Sequence, residues 1–324
     1  MRSTVNWRLR TRSLELGGRT LVCGVVNITP DSFSDGGFFL DSEKAVAHAS
    51  RLMEEGADLL DLGAESTRPG SRAGGADAVV HPNDKNPPLG TPVVSADEEQ
   101  ARLLPVLEGV LKALPNAVIS VDTYKAATAR AALAAGAEIV NDVSGFTWDA
   151  AIAEVCAEFG AGVILSHTRG RPEEWRAQPQ LAPDALVATV REGLSASLAA
   201  AQQAGIATDQ IVVDPGYGFG KRFSENYVLL NRQAEFLALG RPLLAGLSRK
   251  SFLGHTLAPL FGGPDSPIDA PLDQRENASL AAMTAAILHG ASIVRVHRVR
   301  PAVEAARIAD AILRAGATEQ GAER

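Results

Sequence analysis

Ala117-Val118-Ile119-Ser120-Val121-Asp122 is a short apolar run that ends on a single carboxylate. The same pattern recurs along the chain in Val25-Val26-Asn27, Ile139-Val140-Asn141, Ile211-Val212-Val213-Asp214 and Ile293-Val294-Arg295-Val296-His297. A run of roughly four to eight apolar residues reads as a strand buried on both faces, which is the habit of parallel sheets covered by helices. Polar side chains at the ends of such strands share one rim. In α/β proteins that rim binds ligands, because strand ends hold side chains rigidly while the loops after them vary.

Working outward, runs at 21–27, 58–62, 117–122, 137–141, 161–166, 210–214, 242–247 and 292–297 predict eight strands. Amphipathic stretches at 42–55, 96–114, 124–135, 149–159, 183–204, 224–239, 274–289 and 301–315 predict the helices between and after them. Ser42 and Ser224 are expected as N-caps, and Gly56, Gly136, Gly160, Gly205, Gly240 and Gly290 stand just past helix ends. The alternation predicts a single α/β (β/α)8 TIM barrel over 21–316, with an open doubly wound sheet as the alternative. Trp7, Leu9, Leu14 and Leu16 alternate with polar residues around Gly17-Gly18, so 1–20 is expected to form a hairpin closing one end of the barrel. Residues 72–92 are rich in Pro, Gly, Asn and Asp and predict an irregular insertion on the rim, and 317–324 a disordered tail.

Composition narrows the classes of function. The 324 residues are 46% hydrophobic and 21% charged, ordinary for a soluble globular chain. A net charge of −7 argues against a nucleic-acid surface, so an anionic ligand needs locally gathered cations. Cys23 and Cys156 have no metal-ligand spacing and read as buried reduced thiols. No stretch approaches a membrane span, and the arginine-rich start lacks a signal-peptide core, so the expected location is cytoplasmic.

Asn27-Ile28-Thr29-Pro30-Asp31-Ser32-Phe33-Ser34-Asp35-Gly36-Gly37 leaves the first strand with oxygen ligands suited to a hard cation, or forms an Asx-type turn. After the second strand, Arg68 sits on a glycine-bounded turn where a guanidinium can meet phosphate, and Asp61 or Glu65 can orient that loop. Asp122, Asn141 and Asp214 on one rim make an acceptor-rich pocket for a flat heterocycle with several N–H donors, with Lys250 beside it; a metal cage is the rival reading. Alternation sends Arg295 and His297 to one side, where they converge with Asn27 and Arg68 as a cluster suited to a diphosphate. His167 reads as structural. The glycine-rich segment 216–221 lacks P-loop and dinucleotide spacing, and its Phe219 can wall one face of a planar ligand.

The motifs NITPDSFSDGG, ESTRPGS, SVDTYKA, VNDVSG, DPGYGFGK, LSRKSFLG and RVHRV, in this order, resemble the dihydropteroate synthases of the pterin-binding enzyme family. The resemblance implies a transferase of folate biosynthesis and a sulfonamide target. Its substrates would be 6-hydroxymethyl-7,8-dihydropterin diphosphate and 4-aminobenzoate, joined to 7,8-dihydropteroate with release of pyrophosphate. It places Asp122, Asn141, Asp214, Phe219, Lys250 and Arg295 at the pterin, with Asp122, Asp214 and Lys250 in catalysis. Asn27, Arg68, Arg295 and His297 are placed at the diphosphate, with Mg2+ at Asn27. Phe33, Thr67, Pro69 and Ser251 fall at the 4-aminobenzoate, whose carboxylate would lie near the start of a helix at Ser251. A homodimer is also implied. Ser166 and Thr168 depart from the methionines frequent in the family. A methyltetrahydrofolate-binding methyltransferase shares the barrel but needs neither a diphosphate nor an aminobenzoate subsite, and a non-catalytic paralogue would be expected to lose Asn27, Arg68, Lys250, Arg295 or His297.

Overall fold

The computed structural model describes residues 2–28, 38–65, 94–262 and 268–322. The chain opens with β1 (Val5–Arg8) and β2 (Ser13–Leu16), which pair antiparallel. Then follow β3 (Leu21–Asn27), α1 (Phe38–Glu54), β4 (Leu59–Gly63), α2 (Ala96–Ala113), β5 (Ile119–Asp122), α3 (Ala126–Ala135), β6 (Ile139–Asp142), α4 (Ala151–Phe159) and β7 (Gly162–Ser166). The rest is α5 (Pro183–Gln203), β8 (Ile211–Asp214), α6 (Phe223–Asn231), β9 (Leu243–Ala245), α7 (Ser251–Thr256), α8 (Pro259–Gly262), α9 (Glu276–Leu288), β10 (Ala291–Val296) and α10 (Val299–Ala322).

Strands β3 to β10 close into a parallel barrel in the order β10-β3-β4-β5-β6-β7-β8-β9. Register sets the functional rim: Asn27 is level with Gly63, Asp122 with Asn141, and Ser166 with Asp214. Every residue of β4, β6, β7 and β8 is buried, as strands covered by helices on one face and by the barrel interior on the other must be.

The opposite end is plugged by the hairpin. Trp7, Leu9 and Leu16 pack against Cys23, Leu59, Ile139, Ile164, Val212, Leu244 and Ile293, one from each barrel strand but β5, and against Val118 just before β5. The Trp7 indole donates to the Gln210 carbonyl at 2.8 Å, so its one polar atom is satisfied inside that cluster. The expected hairpin therefore closes the end remote from the rim.

Helix boundaries depart from the sequence expectation in four places. Ser42 lies inside α1, not at its N-cap. α6 starts at Phe223, and the Glu225 carboxylate accepts from the Arg222 N–H, so an acid in the first turn replaces Ser224 as the cap. The helix expected over 224–239 ends at Asn231 and continues as a 3-10 segment, Gln233–Leu239. α10 runs on to Ala322, past the expected end of the barrel at residue 316. The six glycines expected after helices all have positive φ, a region without steric cost only for glycine. Both cysteines are buried and unpaired. Among the described residues no helix is long and apolar enough to cross a membrane.

Candidate active site

At the C-terminal rim lies a cleft of about 1660 Å³ whose lining includes Asn27, Asp122, Phe219, Lys250, Ser251, Arg295 and His297. That volume exceeds the roughly 300–1,000 Å³ of a typical single-ligand pocket, leaving room for two reactants. Asn141 and Asp214 are buried just beneath: Asp214 Oδ2 stands 3.6 Å from where a Cβ on the cleft-lining Gly246 would be. Seven of the expected residues thus line one cavity and two more underlie it. Phe33, Thr67, Arg68, Pro69 and the 72–92 insertion lie outside the described residues.

The floor is a carboxylate and guanidinium network. Arg295 donates through Nε to Asp61 at 2.6 Å and through a terminal nitrogen to Asp122 at 2.8 Å. Asn141 donates its amide to Asp61 at 3.0 Å. Burial pushes the Asp122 carboxyl up to about 7, opposed by the Arg295 charge and reinforced by that of Asp61. Burial works against the charge on Arg295 as well, yet the two aspartates hold its proton, and the guanidinium stays firmly cationic. A fixed planar cation between two acids gives the floor a defined orientation.

Opposite this network Lys250 sits at the end of the segment after β9, with its ammonium 3.7 Å from the centre of the Phe219 ring. The lysine stem passes so close to Gly218 that an added Cβ there would lie 3.2 Å from Lys250 Cδ, and Gly218 has φ +80°. Burial lowers the Lys250 ammonium to about 8, with Asp214 opposing that shift. Asp214 is raised by burial, while its bond from the Gly216 N–H, at 2.7 Å, acts the other way. His297 is steered by Ser248, whose Oγ lies 2.9 Å from Nδ1 and accepts from the His297 backbone N–H at 3.3 Å. When the hydroxyl donates to Nδ1, Nε2 is left as the ring donor.

Ser248 and Lys221, given no role from the sequence, acquire one, and Asp61 and Glu65, read as able to orient the loop after β4, acquire another. Ser248 orients His297. Asp61, fully buried on β4, ties Arg295 to Asn141. Lys221 is a buried clamp: its ammonium donates to the carbonyls of His167, Pro215 and Gly216 at 2.6, 2.9 and 2.7 Å, pinning the glycine-rich segment that carries Phe219. Glu65 receives the Tyr124 hydroxyl at 3.0 Å and pairs with Lys125, which also holds Glu99 at 2.9 Å. The signal for Asp61 was present: an acid inside an otherwise apolar parallel strand needs a cationic or donor partner. Nothing local marks Ser248.

Asp122, Asn141 and Asp214 are engaged by Arg295, Asp61 and the Gly216 N–H respectively. Among the described residues no group of three or more His, Cys, Asp or Glu side chains is placed to hold a metal ion. Asn27, half-buried on the cleft wall at the end of β3, offers one amide oxygen.

Comparison with known proteins agrees with this geometry. The family profile described as pterin binding enzyme matches residues 23–297. The dihydropteroate synthase of Mycobacterium leprae is 42% identical over 299 residues, covering 91% of this chain and 94% of its own. The structure of the Xanthomonas albilineans dihydropteroate synthase with 4-aminobenzoic acid has a TM-score of 0.79 at 37% identity, over 96% of this chain and 99% of that one. The Yersinia pestis dihydropteroate synthase in a sulfonamide drug complex also has a TM-score of 0.79, at 35% identity over 96% and 100% of the two chains. A match that begins on the first barrel strand and ends just past the last spans the whole barrel, and this chain belongs to the pterin-binding enzyme family.

Proposed function

We infer that this chain is a transferase of folate biosynthesis that carries out the dihydropteroate synthase reaction. It condenses 6-hydroxymethyl-7,8-dihydropterin diphosphate with 4-aminobenzoate to 7,8-dihydropteroate and pyrophosphate. The observation that carries this reading is the convergence in one cleft of Asp122, Arg295 and Lys250 with Asn27 and His297 at its side. Acceptors are gathered where a guanidine-like ring edge presents N–H donors, and cations where a diphosphate must depart.

The bond between the pterin methylene carbon and the diphosphate oxygen breaks with its electron pair leaving on pyrophosphate. The buried carboxylates Asp122 and Asp214 accept from the ring N–H groups and stabilise the electron-deficient pterin. Arg295 and His297 donate toward the leaving group, with Arg68 as a further cation. Phe219, capped by the Lys250 ammonium, walls the ring. The 4-aminobenzoate, its carboxylate near Ser251 and its ring beside Phe33, Thr67 and Pro69, then forms the C–N bond with the lone pair of its amine, which passes one proton to the released pyrophosphate. Catalysis comes chiefly from stabilising the charges as they separate, and no covalent nucleophile is required.

Mg2+ belongs to the proposal. The amide oxygen of Asn27 fits an ion that takes one or two protein ligands and draws the rest from substrate phosphates and water. Bound there, the ion would neutralise charge on the diphosphate. A cytoplasmic location and a homodimer are also proposed, the dimer supported by Ile308 and Ile312, which are 64% and 53% exposed one turn apart on α10. Sensitivity to sulfonamides follows if they occupy the aminobenzoate subsite.

The test supplies the dihydropterin diphosphate with Mg2+ and follows pyrophosphate and dihydropteroate. Dihydropteroate should form only with added 4-aminobenzoate and in step with pyrophosphate; pyrophosphate release with no coupled product would refute the activity.

A further inference from the structure

Asp61 is fully buried and does not line the cleft, yet its carboxylate bonds the side chains of two residues that shape the pterin pocket. Both bonds fall on a single oxygen: Oδ2 accepts from Arg295 Nε at 2.6 Å and from Asn141 Nδ2 at 3.0 Å. Its other oxygen, Oδ1, is buried and has no hydrogen-bond partner among the described residues. Buried acids that serve the backbone in this barrel look different. Asp142 accepts from the Ser144 and Phe146 N–H groups, and Asp214 accepts from the Gly216 N–H, each tying down the loop after its strand. Among the described residues Asp61 accepts from no backbone N–H. Its flanking residues on β4, Leu60 and Leu62, are fully buried and apolar, so an apolar residue would suit the strand as well.

We propose that Asp61 is a positioning residue for the dihydropterin: through one carboxylate oxygen it fixes the orientation of the Arg295 guanidinium and of the Asn141 amide. The inference rests on the transferase reading and deepens it. An ion-paired carboxylate can only accept, so Asn141 must turn its NH2 group toward Asp61 and its carbonyl oxygen away from it. Arg295, held at Nε by Asp61, can reach Asp122 only with its terminal nitrogen, which engages Oδ2 of Asp122 and leaves Oδ1 for a ligand. One buried acid thereby sets two acceptors, on β5 and β6, in the directions a donor-rich ring edge would need. A carboxylate inside an apolar strand is costly unless it is paired, and Arg295 is the cation that pairs this one.

The groups facing Asp122 are Arg295 on β10, Asp61 on β4, Glu99 on α2 and Lys250 before α7. Asp61 is the nearer of the two acids in effect, so its removal should ease ionisation of Asp122.

The experiment compares wild type with Asp61→Ala and Asp61→Asn. KM is measured for the dihydropterin diphosphate and for 4-aminobenzoate, with the acid limb of the rate profile and calorimetric binding of the dihydropterin diphosphate. Loss of a bond to a charged group should raise the pterin KM and Kd of Asp61→Ala about tenfold or more, with the aminobenzoate KM within about twofold. The acid limb should move to lower pH in both variants. Asp61→Asn keeps the volume and an acceptor oxygen, so it should recover part of the pterin affinity while keeping the shifted limb. If Asp61→Ala does not fold, Asp61→Asn decides: a pterin KM and Kd above wild type, with the aminobenzoate KM unchanged, supports the proposal, and wild-type values overturn it. Wild-type pterin KM with an unmoved limb, or equal loss on both KM values, overturns the proposal. A wild-type protein that binds the pterin substrate without turnover faults the assigned reaction, and the binding titration still decides the role of Asp61.

Discussion

At the level of single residues, the proposed chemistry rests on burial moving two ionisations toward each other. The Asp122 carboxyl is pushed up to about 7 and the Lys250 ammonium down to about 8, each chiefly by loss of water. Asp122 must be ionised to accept ring N–H donors, so kcat/KM should rise as pH passes upward through about 7. Lys250 must be protonated to offset the acids around it, so the rate should fall as pH passes upward through about 8. A narrow bell between these limits is expected. Lys250→Arg, which cannot lose its proton near these values, should carry the alkaline limb upward while lowering the rate. An unmoved alkaline limb in that variant would assign the descent to another group. Lys250→Met should cut kcat about 10²–10³-fold, the usual cost of losing one charge aimed at a transition state, with little change in melting temperature. Asp122→Ala should show a comparable loss, because Arg295 would then face the cleft with one of its two acids gone.

Among the elements, the hairpin and the rim divide stability from function. Trp7 is 1% exposed, and its cluster draws on seven barrel strands and on Val118 just before the eighth, at the end away from the cleft. Gly162 at the start of β7 has room for nothing more: a Cβ there would stand 2.6 Å from Leu9 Cδ2. Trp7→Ala should therefore lower the unfolding free energy by about 3–5 kcal/mol, read from the denaturant midpoint, since a large aromatic cavity opens and the Gln210 carbonyl loses its donor. The folded fraction should keep its kcat, because no residue of the hairpin is among those that line the cleft. A parallel loss of stability and turnover would mean that the plug sets the geometry of the rim as well. This separation follows barrel architecture, in which the N-terminal face serves stability and the C-terminal face chemistry.

For the whole molecule, the barrel and most of its rim were readable because parallel strands leave an unmixed apolar signal and end on conspicuous polar residues such as Asp122, Asn141 and Asp214. What stayed hidden depended on contacts distant in sequence. Asp61 meets Arg295 across 234 positions, and Ser248 meets His297 across 49, so no local pattern marks either pairing. Ser42 and Ser224 misled for the opposite reason: serine is a good cap by propensity, but the neighbouring chain placed α1 and α6 earlier. The outer surface carries a feature that the structure reveals, the apolar pair Ile308 and Ile312 on α10, with Leu288 at the end of the adjacent α9 also exposed. Spacing of four residues puts the two isoleucines on one helix face, and exposed side chains of this size beside one another are costly unless covered. A second copy of the chain would bury that face twice over in a two-fold arrangement, since each protomer offers the same patch. Ile308→Glu with Ile312→Glu should shift sedimentation from dimer to monomer at micromolar concentration, and because the patch lies outside the barrel, the catalytic residues should retain their arrangement. A wild-type chain that sediments as a monomer at every concentration would leave α10 as an ordinary outer helix and remove the dimer from the proposal.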